Sequence, residues 1–411
     1  MSAPRVQAFA SFVCIFALLS CSSEAPDKLG KLKLVSADPS DLRLAGLSEE
    51  WTDRFFQGDA LFERPFSDAL GLGPVYIRQS CNSCHAGDGR GPGAVRKMVL
   101  IDTDGSPALD QSALRYGHTV RPQMAAGAAL AITVPEDRQD VLVTKREPPA
   151  VYGRGYLEAV LDSEIMRVEA EQTERGGQVS GRINWVEYYS QPNPDTRYHT
   201  SHAGVPLIGR FGLKARIATL DEFAADAFQG DMGITSDLRP TELPNPASDD
   251  DELPGIDIGA DTVNLVADYM RVLRIPHRSD AALDAHGAKL FAATGCAECH
   301  VPTLRTRDDY PVEALAGIDA PIYTDMLLHD MGPEFSDGLR DYDAGASEWR
   351  TPPLLGLRHL QRYLHDGRAE SLEEAIELHG SEGSEAGGAA ERYLALSATE
   401  RAALIEFVKA L

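Results

Sequence analysis

The chain has 411 residues, 43% of them hydrophobic and 25% charged, which is enough for more than one domain. Its 63 Asp and Glu against 39 Lys and Arg leave a net charge of −24, excluding a nucleic-acid binder, which needs a basic face. No internal stretch is long and apolar enough to span a bilayer.

The N-terminus reads as an export signal. Arg5 is followed by an apolar run over 8–19, then by Leu18-Leu19-Ser20-Cys21, which resembles a bacterial lipobox. The expectation is a signal peptide over 1–20, with acylation of Cys21 as a lipid anchor. A plain signal peptide cleaved nearby is the alternative. The mature protein is then expected on the periplasmic side of a bacterial membrane, the outer membrane being the favoured one.

A helix-like stretch with Gly58 and Leu61-Phe62 precedes Cys81-Asn82-Ser83-Cys84-His85. A Gly-rich run, Gly87 to Gly93, follows that motif and lets backbone pass close to a flat group. Further on, residues 261–273 predict a helix, with Asp261 as N-cap, Val263, Val266, Met270 and Leu273 at helical spacing, and Pro276 beyond its end. The acidic run Ser248-Asp249-Asp250-Asp251-Glu252 reads as an exposed loop. Residues 283–293 predict a second short helix carrying Gly287 and Leu290-Phe291, directly before Cys296-Ala297-Glu298-Cys299-His300. The two Gly/Leu-Phe stretches form a weak internal repeat. Ser371-Leu372-Glu373-Glu374 and Ser397 with Glu400 are capping boxes that start two further helices. Strand signals are few. The fold class is therefore mainly α, with two domains, 21–275 and 276–411, and long irregular connections.

Four of the six cysteines lie in the two Cys-x-x-Cys-His motifs. Covalent haem c needs two thiols for its vinyl groups and an adjacent imidazole for the iron. One chance motif is expected on the order of 0.002 times in a chain of this composition, and two are present. Zinc is the metal alternative, but the two knuckles lie far apart in sequence and a His follows both. A thioredoxin-like pair lacks its βαβ context. The expectation is two covalently bound haem c groups, at Cys81/Cys84 and Cys296/Cys299, with His85 and His300 as iron ligands, so that the mainly α chain comprises two cytochrome c-like haem domains.

Five further stretches carry a family resemblance: Arg146-Glu147-Pro148-Pro149-Ala150-Val151-Tyr152-Gly153-Arg154, Gly209-Arg210-Phe211-Gly212-Leu213-Lys214, Asp231-Met232-Gly233, Leu328-His329-Asp330-Met331-Gly332-Pro333, and Trp349-Arg350-Thr351-Pro352-Pro353 with Tyr363-Leu364-His365-Asp366-Gly367. With these the chain resembles the di-haem oxidoreductases, also called thiol oxidoreductase-like proteins. They are distant relatives of the bacterial di-haem cytochrome c peroxidases and of the methylamine-utilisation di-haem enzyme. Leu213 stands where the family often has Trp, so any relay between the haems differs here; Trp185 and Trp349 are candidates, against a core or interface role for each.

The resemblance implies a periplasm-facing oxidoreductase that takes electrons from a small cytochrome c or cupredoxin and reduces peroxide or another small oxidant at the N-terminal haem. The alternative is a non-catalytic di-haem electron-transfer protein, with a redox partner in iron uptake as one form of that reading. It further implies His379 as sixth ligand of the second haem, where relatives carry Met. Locally, Leu372, Ala375, Ile376 and His379 share one apolar helix face, and Gly380 is expected to end that helix in a left-handed conformation. For the first haem no sixth ligand is evident; His118 is a candidate by resemblance, and Met232 and Met331 are thioether candidates against core packing. Glu158, in Tyr156-Leu157-Glu158-Ala159, is the candidate acid–base group for peroxide, against an ordinary helix Glu. His365 is expected beside a haem propionate, and His199 and His202 read as structural or solvated.

Overall fold

The computed structural model describes residues 43–89, 95–126, 128–198, 204–246, 255–279, 281 and 284–411. Cys21, the acidic run 248–252, His199 and His202 lie outside them. The described residues all belong to one compact unit, Ala37–Leu411. Nine α-helices occur among them, and the sheet content is five two-stranded antiparallel ladders.

Two helix pairs organise the chain. Helix α1 (Glu49–Glu63) packs on α5 (Ala260–Val272), which also receives α4 (Leu220–Met232). Helix α6 (Ala285–Ala293) packs on the last helix, α9 (Ala398–Ala410). The internal repeat marks these two crossings. A methyl group on Gly58 would overlap Leu265 O and lie 2.6 Å from Tyr269 Cβ, and one on Gly287 would lie 2.5 Å from Phe407 Cβ. Four residues on in each helix, Phe62 packs on Tyr269 (5.2 Å between centroids) and Phe291 on Phe407 (5.6 Å). Glycine is required at both crossings because a side chain there would separate the helices.

The largest hydrophobic core joins α1, α4 and α5 with residues from Leu304 to Leu355, so it draws on both sides of position 276. A second core is built wholly after residue 285, around Leu290, Phe291, Leu404 and Phe407.

Several local expectations are corrected. Helix α5 begins at Ala260 after Gly259, and the Asp237 carboxylate accepts from Ala260 N (2.9 Å); Asp261 sits in the first turn and does not cap. Helix α7 (Leu372–Leu378) does begin after Ser371, whose Oγ accepts from Glu374 N (3.0 Å). Its Glu374 carboxylate accepts from Glu370 N (2.7 Å) and not from Ser371 N, so only half of that capping box forms. Gly380 is not left-handed: the chain leaves the helix through tight turns, Gly380 N to Glu377 O (2.9 Å) and Ser381 N to Leu378 O (3.2 Å). The box at Ser397 and Glu400 is complete.

Candidate haem centres

The second centre is built where α6 ends. His300 N donates to Cys296 O (2.9 Å), closing the motif into a turn that sets both thiols and the imidazole on one side. His300 Nδ1 pairs with Tyr323 O (3.1 Å). At the end of α7, His379 Nδ1 pairs with Ala375 O one turn back (2.6 Å). Each ring therefore has Nδ1 tied to a backbone carbonyl, which leaves Nε2 as the nitrogen available to a metal. Both imidazoles and both thiols line one cavity of about 440 Å³, with a mainly apolar wall that includes Leu354, Leu357, Ile376 and Val408. Burial pushes His300 down to about 4, with His379 adding to the shift, and burial lowers His379 too. Both rings are neutral near pH 7, the form a metal needs. Burial raises the Cys296 and Cys299 thiols, and neither forms a disulfide.

The same cavity is lined by His365, Trp349, Arg350, Arg154 and Met331. His365 stacks on Trp349 at 3.7 Å and 14° between planes; Lys214 Nζ sits 3.9 Å from the Trp349 ring centroid. Burial lowers His365 to about 3, so this ring is neutral. Trp185, the other candidate aromatic, lies 42% exposed in a short surface ladder.

Beside Cys299 lies a group that sequence reasoning did not single out. His329 Nε2 bonds Asp325 Oδ2 (2.8 Å) and Nδ1 bonds Glu385 Oε2 (2.8 Å). Burial alone would lower His329, but Asp325 outweighs it and holds the ring well above the usual histidine range. Cys299, Asp325 and His329 bring potential ligand atoms within 4.8 Å of one another. With both ring nitrogens donating to carboxylates, the imidazolium has no lone pair for a metal.

The first centre follows α1. Asn82 N donates to Phe62 O (3.1 Å) and His85 N to Cys81 O (2.8 Å); the Phe62 ring lies 6.2 Å from that of His85. Burial pushes Cys81 up to about 12, Cys84 to about 11 and His85 down to about 4. The backbone of Gly89 and Pro149 lies beside the His85 ring, yet its buried Nδ1 makes no hydrogen bond of ordinary length among the described residues. Asp231 acts on both thiols. Burial raises it to about 6 and lowers neighbouring Lys97 to about 8. Cys81, His85, Lys97 and Asp231 all keep some accessible surface while being desolvated, as residues facing a crevice do. A buried, under-bonded imidazole beside two unpaired thiols fits a bound haem.

Three expected residues have packing or hydrogen-bond partners of their own. Glu158, in α2 (Arg154–Ala159), does not line the large cavity. Its Oε2 accepts from Arg271 Nε (2.6 Å) and Tyr310 OH (2.7 Å); its Oε1 accepts from Leu220 N (2.8 Å) and Arg271 Nη2 (3.1 Å). Burial opposes its charge, but Arg271 outweighs that and holds the carboxyl below its ordinary value. Every lone pair is committed, so Glu158 is a member of an ion-pair network rather than a carboxylate facing a substrate. His118 bonds Met98 O through Nδ1 (2.9 Å) in an irregular pairing beside β2 (Val95–Leu100). Met232 belongs to the first core.

A family model described as "Di-haem oxidoreductase, putative peroxidase" matches residues 40–106 and 130–411. The chain belongs to this family. As a di-haem oxidoreductase it uses haem as its cofactor, in a mainly helical fold. No curated protein matches it. Solved structures similar to it include hydrazine synthase of Kuenenia stuttgartiensis (15% identity, 100% of each chain, TM-score 0.36) and a MauG-like protein associated with microbial copper homeostasis (17%, 90% of this chain and 91% of that one, 0.37). The diheme peroxidase BthA from Burkholderia thailandensis is another (16%, 87% and 86%, 0.37).

Proposed function

We propose that this di-haem oxidoreductase is exported, lipid-anchored through Cys21 and periplasm-facing, with haem c attached covalently at Cys81/Cys84 and at Cys296/Cys299. In this reading the second centre carries electrons from a small donor protein, a cytochrome c or cupredoxin, and the first reacts with peroxide or a related oxidant. The observation that carries it is the pair His300 and His379, facing one cavity with Nδ1 of each tied to a carbonyl. A haem with two protein ligands passes electrons, whereas one with an open position can take peroxide.

The protein's own part follows from its residues. The carbonyls of Tyr323 and Ala375 hold the two rings in one tautomer and make them better ligands. At His85 the backbone of Gly89 and Pro149 lies beside the ring, in place of a single carbonyl at ordinary hydrogen-bond length from Nδ1. The apolar wall keeps water from the second centre, while Asp231 and Lys97 provide groups that exchange protons near neutrality beside the first. Glu158 is committed to Arg271 and takes no part in proton transfer.

The test is EPR and optical spectroscopy of the reduced-then-reoxidised holoprotein, with His379→Gly beside it. One low-spin and one high-spin centre are expected in the unmodified protein, with the low-spin signal lost in His379→Gly. Two low-spin centres inert to peroxide would make the protein an electron carrier. An unchanged spectrum and potential in His379→Gly would place the sixth ligand elsewhere, with Met331 next in the cavity wall.

A further inference from the structure

The first motif is joined to the interior by a run of aromatic rings. The His85 ring lies 6.2 Å from that of Phe62, and Phe62 lies 5.2 Å from Tyr269 of α5. Tyr269 is buried at the Gly58 crossing, where a methyl group on the glycine would meet its Cβ. Its hydroxyl turns back to the motif loop and donates to Asp88 Oδ1 (2.8 Å), three residues past His85. Asp59 of α1 also acts on this hydroxyl. Burial first, and then Asp88, hold the phenol well above its ordinary range, so the proton stays on Tyr269 at rest. Three other buried aromatics are set differently. Trp349, against the second cavity, has Lys214 Nζ 3.9 Å and Arg146 Cζ 5.6 Å from its ring centroid, and its indole N–H donates to Phe335 O (3.0 Å). Two cations oppose loss of an electron from that ring, and a carbonyl takes no proton from it. Tyr198 and Tyr310 donate to Asp268 (2.9 Å) and Glu158 (2.7 Å), but both carboxylates are ion-paired with Arg271.

We infer that Tyr269 is a redox-active residue of the first centre, giving up one electron during reaction with peroxide while Asp88 takes its phenolic proton. This rests on the reading above, in which the first centre is the one that meets peroxide. Reduction of hydrogen peroxide to two waters takes two electrons, and two protons from solvent. One electron is drawn from the first centre and the other from Tyr269. The phenol O–H breaks, its electron passes by way of Phe62 toward His85, and its proton forms the O–H of a neutral Asp88, leaving a neutral phenoxyl. A phenol that loses an electron becomes a far stronger acid, so an acceptor within hydrogen-bond reach makes that loss accessible. One electron from the donor protein, with the proton returned by Asp88, restores Tyr269. The residue thus keeps one oxidising equivalent inside the fold until the donor arrives.

The test is EPR of the holoprotein frozen at intervals after addition of hydrogen peroxide, with haem counted by pyridine haemochrome. An organic-radical signal should rise as peroxide is consumed. Ring-deuterated tyrosine should narrow it, and a ring-fluorinated tyrosine placed at position 269 should add a fluorine splitting. Tyr269→Phe, which keeps a ring against Phe62, should lose the signal at equal haem content. Asn suits the left-handed backbone of residue 88 (φ 55°) and still accepts the phenol's hydrogen bond, so Asp88→Asn should slow the rise about a hundredfold. A signal that persists in Tyr269→Phe, or one without the fluorine splitting, overturns the inference. So does the absence of any radical in protein that consumes peroxide, or an unchanged rise in Asp88→Asn. Should Tyr269→Phe take up no haem, the fluorine splitting in the otherwise unmodified chain decides. Two bound haems that never react with peroxide would instead defeat the reading of the first centre, and this inference with it.

Discussion

Replacing Glu158 by Gln separates two incompatible roles for one carboxylate. As an acid–base group facing peroxide, Glu158 would be dispensable for folding and its amide would abolish turnover. The structure assigns the opposite balance. The new amide nitrogen cannot accept from the donors now served by one carboxylate oxygen, either Arg271 Nε with Tyr310 OH or Leu220 N with Arg271 Nη2. Breaking one side of a buried ion pair costs about 3–5 kcal/mol. Arg271 keeps Asp268 (2.9 Å) and has Asp221 at 3.6 Å, which favours the lower end, about 3 kcal/mol. With about 2.1 cal/mol/K of unfolding entropy per residue over Ala37–Leu411, that lowers Tm by about 4 °C. The sign with pH follows. The folded carboxyl lies below its ordinary value of 4.5, so its stabilisation is present above that pH and is lost as pH falls below it. Glu158→Gln should therefore be less stable at pH 7 and flatter in its acid dependence. Differential scanning calorimetry from pH 7 to pH 3, at equal haem content, measures both. A Tm within 1 °C of the unmodified protein, together with peroxide turnover lowered a hundredfold or more, would refute the structural assignment.

Changing Cys81 and Cys84 together to Ala should leave one haem per chain resistant to acid-acetone extraction; two retained haems would exclude attachment at that motif. Cys21→Ser should abolish incorporation of labelled palmitate and release exported protein from the membrane, and equal labelling of both forms would remove the anchor. Gly287→Ala should cost about 1–3 kcal/mol in urea unfolding, because its methyl would lie 2.5 Å from Phe407 Cβ. A cost under about 0.5 kcal/mol would show room at the α6–α9 crossing.

Much of the framework was legible in the chain because it rests on short-range rules. The two Cys-x-x-Cys-His motifs are local: two intervening residues place both thiols and the imidazole on one turn, whatever surrounds it. Ser397 with Glu400, and the apolar spacing of α5 and α7, depend on neighbours within a few residues, and so those helices were predicted within a residue or two of where they occur. His379 was legible as the polar end of an apolar helix face, and the repeated Gly/Leu-Phe stretches marked two crossings before either could be seen.

What required the tertiary structure is the set of partners brought together across long separations. Glu158 reads in sequence like any helix carboxylate at the edge of an apolar face; only the arrival of Arg271, 113 residues on, and of Tyr310, 152 residues on, shows that its lone pairs are spent. The Asp237 cap on α5 and the Asp325–His329–Glu385 cluster are invisible locally for the same reason. Arg154 and Arg350 lie in stretches that resemble the family, yet nothing nearby in sequence distinguishes a buried guanidinium from a solvated one. The identity of a ligating atom can be written in a few consecutive residues, whereas the charge it faces depends on which distant segments the fold packs against it.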